Sequence, residues 1–478
     1  MKKLIIIVMA TIEMAMFSGI FYGYNSLIPI YKKEGVFSQY CENSQNTTHN
    51  ATENITHNRT ISCIAQETYY GKAFASWLVV QGIMCFFLGI ILDKFGIRTL
   101  KTICGICFLG GTLCFAFTAK LNWLLFIAGS LLTMSAHGLN ISNYSLSILF
   151  KGKGNLIVSL IGALHNFSSI IMSVMKYLAD LGIPFWISFT CYGCVGFSFI
   201  MGSLAFIKSR AKDMLTKVNE GDEGELNEEK MQVEKIEVEV DETESKIESV
   251  KSVYEKATEE RFQTFKKCIL SPEYFIHVTY FIIICFRFTF FLSQMSSQLK
   301  YLFPTQPEII DHLLFVSNFF FIGSLIVLPI YEFLVDKYLR YTFGYLSKDS
   351  NISPRHVYNK VNGIFAVSNS VCSFSTLVAA LVLFVPNRYL FYLVFICITI
   401  TRSILFAVNA GYLFSAFPKR YFGTLIGSVF LVSGFINISQ QFIIPFASPN
   451  SHPDIVNYIL LGLCAVSFVN PLYLKLKK

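Results

Sequence analysis

Three ionisable side chains stand in the middle of long apolar runs of the sequence: Glu13, Arg287 and Arg402. A charge inside a bilayer is costly unless it is paired or hydrated, so intramembrane charges usually mark binding sites or helix contacts. All three lie near the centre of their runs, and opposite charges at one depth can attract each other. We therefore predict that Glu13 pairs with Arg287 or Arg402, either as a pair that changes partners or as a static link between helices.

Amide and aromatic side chains share helical faces with these charges. An amide both donates and accepts hydrogen bonds, which suits the edge of a flat heterocycle such as a purine, and a tyrosine ring can stack on its face. The alternative for each amide is a hydrogen bond between two helices. The predicted binding residues are Glu13, Tyr24, Asn140, Asn143, Arg287, Gln294, Arg402 and Asn409.

Other reactive groups give weaker signals. His137 and His165 could relay protons, but a lone membrane histidine more often packs, and no chain of membrane carboxylates accompanies them. Two Cys-x-x-Cys motifs lie in apolar runs without nearby histidine or carboxylate partners, so we predict no metal and no cofactor. There is no P-loop and no Gly-x-Ser-x-Gly motif, which argues against an ATP-driven pump and against an enzyme.

The elements that must position these residues are membrane helices. Of 478 residues, 53% are hydrophobic and 15% are charged, which leaves too few polar groups to cover a soluble protein. The apolar runs are continuous, which predicts helices about 20 residues long that span a bilayer. The sequence predicts an all-α membrane protein with spans at residues 4–31, 73–92, 102–119, 122–147, 155–178, 183–207, 273–299, 312–335, 361–385, 388–415, 421–446 and 455–474.

The basic residues set the predicted orientation. Threading the spans places most loop lysines and arginines on the side that carries both termini, and the positive-inside rule makes that side the cytoplasm. The net charge of +8 therefore follows from topology and does not indicate a nucleic-acid partner. The surrounding partner is the lipid bilayer.

The first loop on the opposite side, residues 32–71, supports this orientation independently. It holds four clustered glycosylation sequons, and Cys41 and Cys63 bracket them. In an oxidising compartment these two cysteines could form a disulfide, which spacing alone does not establish. We expect a plasma-membrane glycoprotein modified at Asn46, Asn50, Asn54 and Asn58.

Composition changes abruptly between the sixth and seventh spans. Residues 208–271 contain a stretch rich in glutamate and lysine, which is typical of a solvated cytoplasmic linker that is partly helical. The linker separates two six-helix halves, residues 1–207 and 272–478. A tether between the halves and a regulatory segment are both open interpretations.

A charged turn, Asp93 to Thr99, follows the second span, and Asp336 to Arg340 echoes it after the second span of the other half. This turn resembles the signature of the major facilitator superfamily, Gly-x-x-x-Asp-x-x-Gly-Arg-(Arg/Lys). Ile97 departs from the signature, and Glu332 and Leu339 replace both glycines of the echo. The resemblance implies a gating role, stronger in the first half, for Asp93, Gly96, Arg98, Asp336 and Arg340.

Two further blocks narrow the resemblance. Glu13, Phe17, Gly19 and Gly23 in the first span, with the block from Arg402 to Gly423, are similar to solute-carrier family forty-three. That family includes large-neutral-amino-acid facilitators and an equilibrative nucleobase transporter. The resemblance implies a monomeric, sodium-independent facilitator of a small neutral solute, with purine nucleobases first and large neutral amino acids as the alternative. A non-transporting receptor or scaffold on the same fold is the third possibility.

Overall fold

The computed structural model describes residues 2–42, 64–145, 154–206, 242–348, 353–448 and 453–477. These residues form helices and short turns, with no strand among them, so the predicted all-α class is confirmed. The four sequons and Cys63 lie outside the described residues. Cys41 is disulfide-bonded, and its pairing with Cys63 stays a prediction.

Within the described residues, eleven helices are long and apolar enough to cross a membrane. The predicted fifth span is instead built from two shorter helices that meet at residues 168–169. Several helices run past the predicted ends because charged residues continue them outside the apolar run. The twelve segments are α1 (Leu4–Lys33), α2 (Ala65–Leu92), α3 (Lys94–Ala116), α4 (Leu124–Ser145), α5 (Gly154–Phe167 and Ile170–Asp180), α6 (Phe185–Phe206), α7 (Pro272–Leu302), α8 (Pro307–Leu346), α9 (Pro354–Val382), α10 (Arg388–Ala416), α11 (Lys419–Ala447) and α12 (Pro453–Leu476).

Segment α1 is not a regular α-helix. It starts as an α-helix that ends at Glu13, continues as a π-helix over Met14–Ser18 and a 3₁₀-helix over Gly19–Leu27, and ends as an α-helix. Each change alters the number of residues per turn, so side chains beyond Glu13 leave the faces that a uniform α-helix predicts. Breaks of this kind often lie at functional sites.

Two glycines bring α1 against the break in α5. A Cβ atom at Gly19 would lie 2.0 Å from the carbonyl oxygen of His165, and one at Gly23 would lie 2.1 Å from that of Ser169. No side chain fits at either position, so glycine is required for this close approach. The irregular parts of α1 and α5 therefore pack directly on each other.

The turn between α2 and α3 is a single backbone break. Helical geometry runs from Ile64 to Ala116 except at Gly96, whose φ is 82° and ψ is 173°. Only glycine adopts this conformation without strain. The predicted charged turn is thus located correctly, and Gly96 is the residue that makes it.

The two halves meet closely along α2 and α11. A Cβ atom at Gly82 would lie 2.5 Å from the Cα atom of Gly434, and one at Gly427 would lie 3.1 Å from the Phe86 ring. Backbones this close leave no channel between α2 and α11 at this depth. The two halves are therefore in direct contact along α2 and α11 at this depth.

The last part of the predicted linker is a helix, which we call the linker helix (Glu242–Arg261). It docks on the C-terminal half, where the hydroxyl of Tyr254 donates to the carbonyl oxygen of Ser415 at 2.6 Å. Two ion pairs, Lys419–Glu255 at 2.8 Å and Arg420–Glu259 at 3.1 Å, join it to the start of α11. This segment is therefore attached to one half and does not hang freely between the two.

Candidate binding site between the two halves

Arg402 on α10 lies at the centre of the candidate site. Its guanidinium carbon is 3.6 Å from the ring centroid of Tyr22 on α1 and 4.7 Å from that of Phe321 on α8. The side chain is 1% exposed, and both terminal nitrogens lack a hydrogen-bond partner among the described residues. Leaving a buried charged donor unsatisfied costs free energy, so Arg402 is poised to bind a group with two adjacent acceptor atoms.

A small cavity lies next to Tyr22, the residue whose ring contacts Arg402. Tyr22 lines it together with Gln81 of α2, and the tyrosine hydroxyl donates to Gln81 Oε1 at 3.5 Å. The cavity measures about 10 Å³, which is room for about one water. The other half contributes polar and aromatic groups to its lining, including Thr289, Ser433, Asn437, Phe406 and Phe430.

The two predicted histidines belong to the same region. Their rings lie edge to face with centroids 5.5 Å apart, and the His165 ring also meets Tyr22 edge-on. His165 Nδ1 is 2.6 Å from Ser18 Oγ, and His137 Nδ1 is 3.1 Å from the carbonyl oxygen of Thr133. Tyr22 therefore contacts both His165 and Arg402. The fold thus brings together, near Tyr22, the two histidines that were selected from the sequence.

The predicted pairing of Glu13 with an arginine is wrong for this structure. Glu13 Oε2 accepts from Lys101 Nζ at 2.5 Å and from Asn143 Nδ2 at 3.2 Å. The predicted third span begins at residue 102, which placed Lys101 in a loop, whereas α3 begins at Lys94 and places Lys101 about two turns into the helix. Lys101 was missed because a span defined by its hydropathy excludes the charged residues at its ends, even where the helix continues through them.

Arg287 is also separated from the other two charges. It is 4% exposed and interacts with Cys464 of α12, within the C-terminal half. Among the described residues, Glu13, Arg287 and Arg402 therefore have three different environments. Lys101 and Asn143 both bond to Oε2 of Glu13, whereas its Oε1 has no partner among the described residues.

Some of the remaining predicted binding residues pack within one half, and others lie at the interface between the halves. Tyr24 packs in the N-terminal half, with its ring edge-on to Trp77 at 4.7 Å. Asn409 Oδ1 is 3.0 Å from His277 Nε2 on α7. Gln294 of α7 faces Gly71 in the N-terminal half, and a Cβ atom at Gly71 would contact Gln294 Nε2. Asn140 is half-buried, and its buried Oδ1 has no partner among the described residues.

Tyr22 and Gln81 were missed by sequence reasoning. A uniform α-helix places Tyr24 on the face of Glu13, but the π and 3₁₀ turns of α1 bring Tyr22 to Arg402 instead. The periodicity of the sequence does not predict such a change of helix type. Gln81 could have been found as an amide in the middle of the second apolar run.

The two predicted charged turns differ in this structure: Gly96 breaks the helix between α2 and α3, whereas α8 continues through Asp336 and Arg340 to Leu346, so the turn predicted there is not formed. Asp336 and Arg340 form an exposed ion pair at 2.9 Å, one turn apart on α8. The Asp93 side chain lies outside what the structure describes, so its gating role and that of Arg98 stay predictions. Gly96 has the structural role given above.

Three curated proteins are similar to this chain over almost its whole length. "Equilibrative nucleobase transporter 1" of Bos taurus is 24% identical over 97% of this chain and 94% of the relative. "Large neutral amino acids transporter small subunit 3" is 24% identical in Mus musculus and 22% identical in Homo sapiens, each over 97% of this chain and 92% of the relative. The two kinds of relative are thus equally similar to this chain.

Solved structures agree on the fold. The crystal structure of a D-xylose-proton symporter superposes with a TM-score of 0.56 at 12% identity, covering 99% of this chain and 97% of that one. A mutant of the peptide transporter POT gives a TM-score of 0.55 at 10% identity, covering 99% and 93%. The profile of the Major Facilitator Superfamily matches residues 14–439. The match spans most of the chain, and this protein belongs to the Major Facilitator Superfamily.

Proposed function

We propose that this protein is a sodium-independent facilitator that moves purine nucleobases across the plasma membrane by alternating access, as a monomer with both termini in the cytoplasm. The observation that carries the proposal is Arg402, buried between the halves with both terminal nitrogens unpartnered beside the Tyr22 ring. Sites between the halves near the midplane are where transporters of this architecture bind their solutes.

A purine matches this site by chemistry. Arginine binds the adjacent O6 and N7 acceptors of a 6-oxopurine with two hydrogen bonds. Gln81 and Asn437 both line the cavity, and each amide can donate to or accept from the remaining edges of a base. Aromatic rings of the lining offer flat surfaces for the base. The site therefore supplies the donors, acceptors and stacking surfaces that a neutral heterocycle needs.

A large neutral amino acid is the second candidate. Its carboxylate would fit Arg402 and neutralise the buried charge, which a neutral base does not do. Its ammonium, however, needs an acceptor, and none of the described residues that line the cavity is acidic. Glu13, the carboxylate predicted for that purpose, is already bonded to Lys101. These contacts support the base over the amino acid.

Transport requires the halves to separate on one side at a time. The cavity lined by Tyr22 and Gln81 holds about one water, which is far too small for a purine. Entry of solute must therefore open one side of the interface, and release must open the other.

Uptake into proteoliposomes tests the proposal. Purified protein is reconstituted, and uptake of labelled hypoxanthine, adenine and leucine is measured in sodium-free buffer. We expect saturable hypoxanthine uptake that Arg402→Gln weakens and that Asn369→Ala retains, since Asn369 bonds to Asn470 within one half. Leucine uptake without purine uptake would establish the second candidate. Uptake of none of the three would contradict both.

A further inference from the structure

Asn318 of α8 joins the C-terminal half to two helices of the N-terminal half. Its Nδ2 group lies within hydrogen-bond distance of the carbonyl oxygen of Gly23 at 3.1 Å and of the hydroxyls of Ser26 at 3.0 Å and Ser173 at 2.9 Å. These acceptors belong to α1 and α5, next to the breaks in both helices. Asn318 is 1% exposed, so these bonds are shielded from water.

We call the end of the molecule that carries residues 34–42 the loop side. Further hydrogen bonds cross between the halves there: Asn25 donates to the carbonyl oxygen of Leu292 at 3.0 Å, and Ser296 donates to Glu67 at 2.9 Å. Gln441 donates to the carbonyl oxygen of Lys72 at 3.0 Å. Asn318 is the residue of this group that holds α1 and α5 together.

The position of Asn318 on α8 relates it to the binding site. A 3₁₀ turn, Phe321–Gly323, follows it, and in a 3₁₀-helix residues three apart lie on the same face. Phe321 packs on Arg402, and Ser324 donates to the carbonyl oxygen of Ala163 on α5 at 3.0 Å. One face of α8 thus carries the contact with the N-terminal half and the contact with the site arginine.

We propose that Asn318 is the latch that holds the loop side closed. It is a positioning residue: it does not touch the solute, but it fixes the relative position of α1, α5 and α8 while the site is shut. This inference rests on the alternating-access part of the proposed function. Loss of the latch shifts the equilibrium toward a form that is open on the loop side.

A cysteine reporter tests the latch without any solute. Ser293 on α7 is 8% exposed, and a Cβ atom at the facing Gly71 would lie 2.9 Å from its carbonyl oxygen, so a reagent reaches this position only when the halves separate. In the full chain with Ser293→Cys, labelling by a membrane-impermeant maleimide from the loop side is timed, and the labelling of the parent without this substitution is subtracted. We expect Asn318→Ala to accelerate labelling about tenfold, which corresponds to about 1.4 kcal/mol.

Asn369→Ala is the matched control, because it removes an equally buried asparagine whose bond to Asn470 lies within one half. It should label at the rate of the reporter parent. Equal acceleration in both variants, or none in Asn318→Ala, would overturn the latch. If Asn318→Ala does not reach the membrane, the double variant Ser26→Ala, Ser173→Ala removes two of its acceptors, and an unchanged rate there also overturns the proposal.

A final part of the experiment tests the latch and the proposed substrates independently of each other. Hypoxanthine or leucine is added to the reporter parent before labelling. If Asn318→Ala accelerates labelling but neither solute changes the rate in the parent, the latch stands and the proposed substrates fail. If a solute changes the rate while Asn318→Ala does not, the substrate is supported and the latch fails.

Discussion

Lys101 Nζ lies 2.5 Å from Oε2 of Glu13, and both side chains are buried within the N-terminal half. The pair joins α3 to α1 at the last residue before the π-helix. It links helices of one half and does not bridge the halves. Its first role is therefore to fix the irregular α1 in place.

We expect Lys101→Met to destabilise the protein by about 3–5 kcal/mol, because it leaves a buried carboxylate uncompensated. The double variant Glu13→Gln, Lys101→Met removes both charges and should recover much of that loss. Thermal unfolding in detergent, followed by size-exclusion fluorescence, measures the difference. A single variant as stable as the parent would show that the two charges do not depend on each other.

Arg402 and Arg287 offer a matched pair of buried arginines. Arg402→Gln loses charge-assisted hydrogen bonds to the solute, each worth about 1.5–3 kcal/mol, so KM for the transported solute should rise at least about tenfold. Arg287→Gln should leave KM unchanged, because Arg287 interacts with α12. Uptake kinetics normalised to the protein present in the membrane give both values. A rise of KM in both variants would argue against a site centred on Arg402.

Gly82 and Gly89 on α2 test the contact between the halves. A Cβ atom at Gly82 would meet the backbone of Gly434 at 2.5 Å, whereas nothing lies within 4 Å of one at Gly89. Gly82→Ala should therefore force α2 and α11 apart and lower the transport rate several-fold, and Gly89→Ala should not. Initial uptake rates at equal surface expression compare them. Equal rates in the two variants would mean that the close approach is dispensable.

Gly96 should be intolerant of substitution. Its φ of 82° with ψ of 173° lies in a region open almost only to glycine, and another residue there costs of order 1–3 kcal/mol. Gly96→Ala should slow transport, while Asp336→Asn should have little effect because an exposed ion pair is worth about 0–1 kcal/mol. Uptake and thermal unfolding, measured together, separate a gating defect from misfolding. A Gly96→Ala protein with parental uptake would remove this turn from the gating mechanism.

Much of the fold follows from the sequence because hydropathy is a strong signal. Uninterrupted apolar runs located eleven spans that, among the described residues, are long and apolar enough to cross a membrane. The fifth was located too, but its apolar run does not predict the break at residues 168–169, where the carbonyl group of Ser169 packs against Gly23 of α1. The ends of helices were less predictable because charged residues continue them.

The site was predictable only in part. Arg402 was identified because a charge inside a membrane span is costly and usually has a function. This inference needs only the position of the charge in an apolar run and no knowledge of the tertiary structure. Its neighbour Tyr22 was not identified. The π and 3₁₀ turns of α1, which pack against α5, determine which of its side chains lie on the same face. Glu13 was identified, but its partner Lys101 was assigned to a loop. Single charges can thus be read from sequence, whereas their partners depend on the tertiary fold.

Tyr254 should anchor the linker helix to the C-terminal half. Its hydroxyl donates to the carbonyl oxygen of Ser415, and Asn362 Oδ1 lies 3.3 Å away. Tyr254→Phe keeps the ring and removes the hydroxyl, so docking should weaken by about 0.5–1.5 kcal/mol, the usual net value of one hydrogen bond. Hydrogen–deuterium exchange should become faster across the amides of residues 242–261. Val253→Ala, at an exposed position of the same helix, controls for changes in helix propensity. Unchanged exchange in Tyr254→Phe would mean that the ion pairs at the start of α11 hold the helix by themselves.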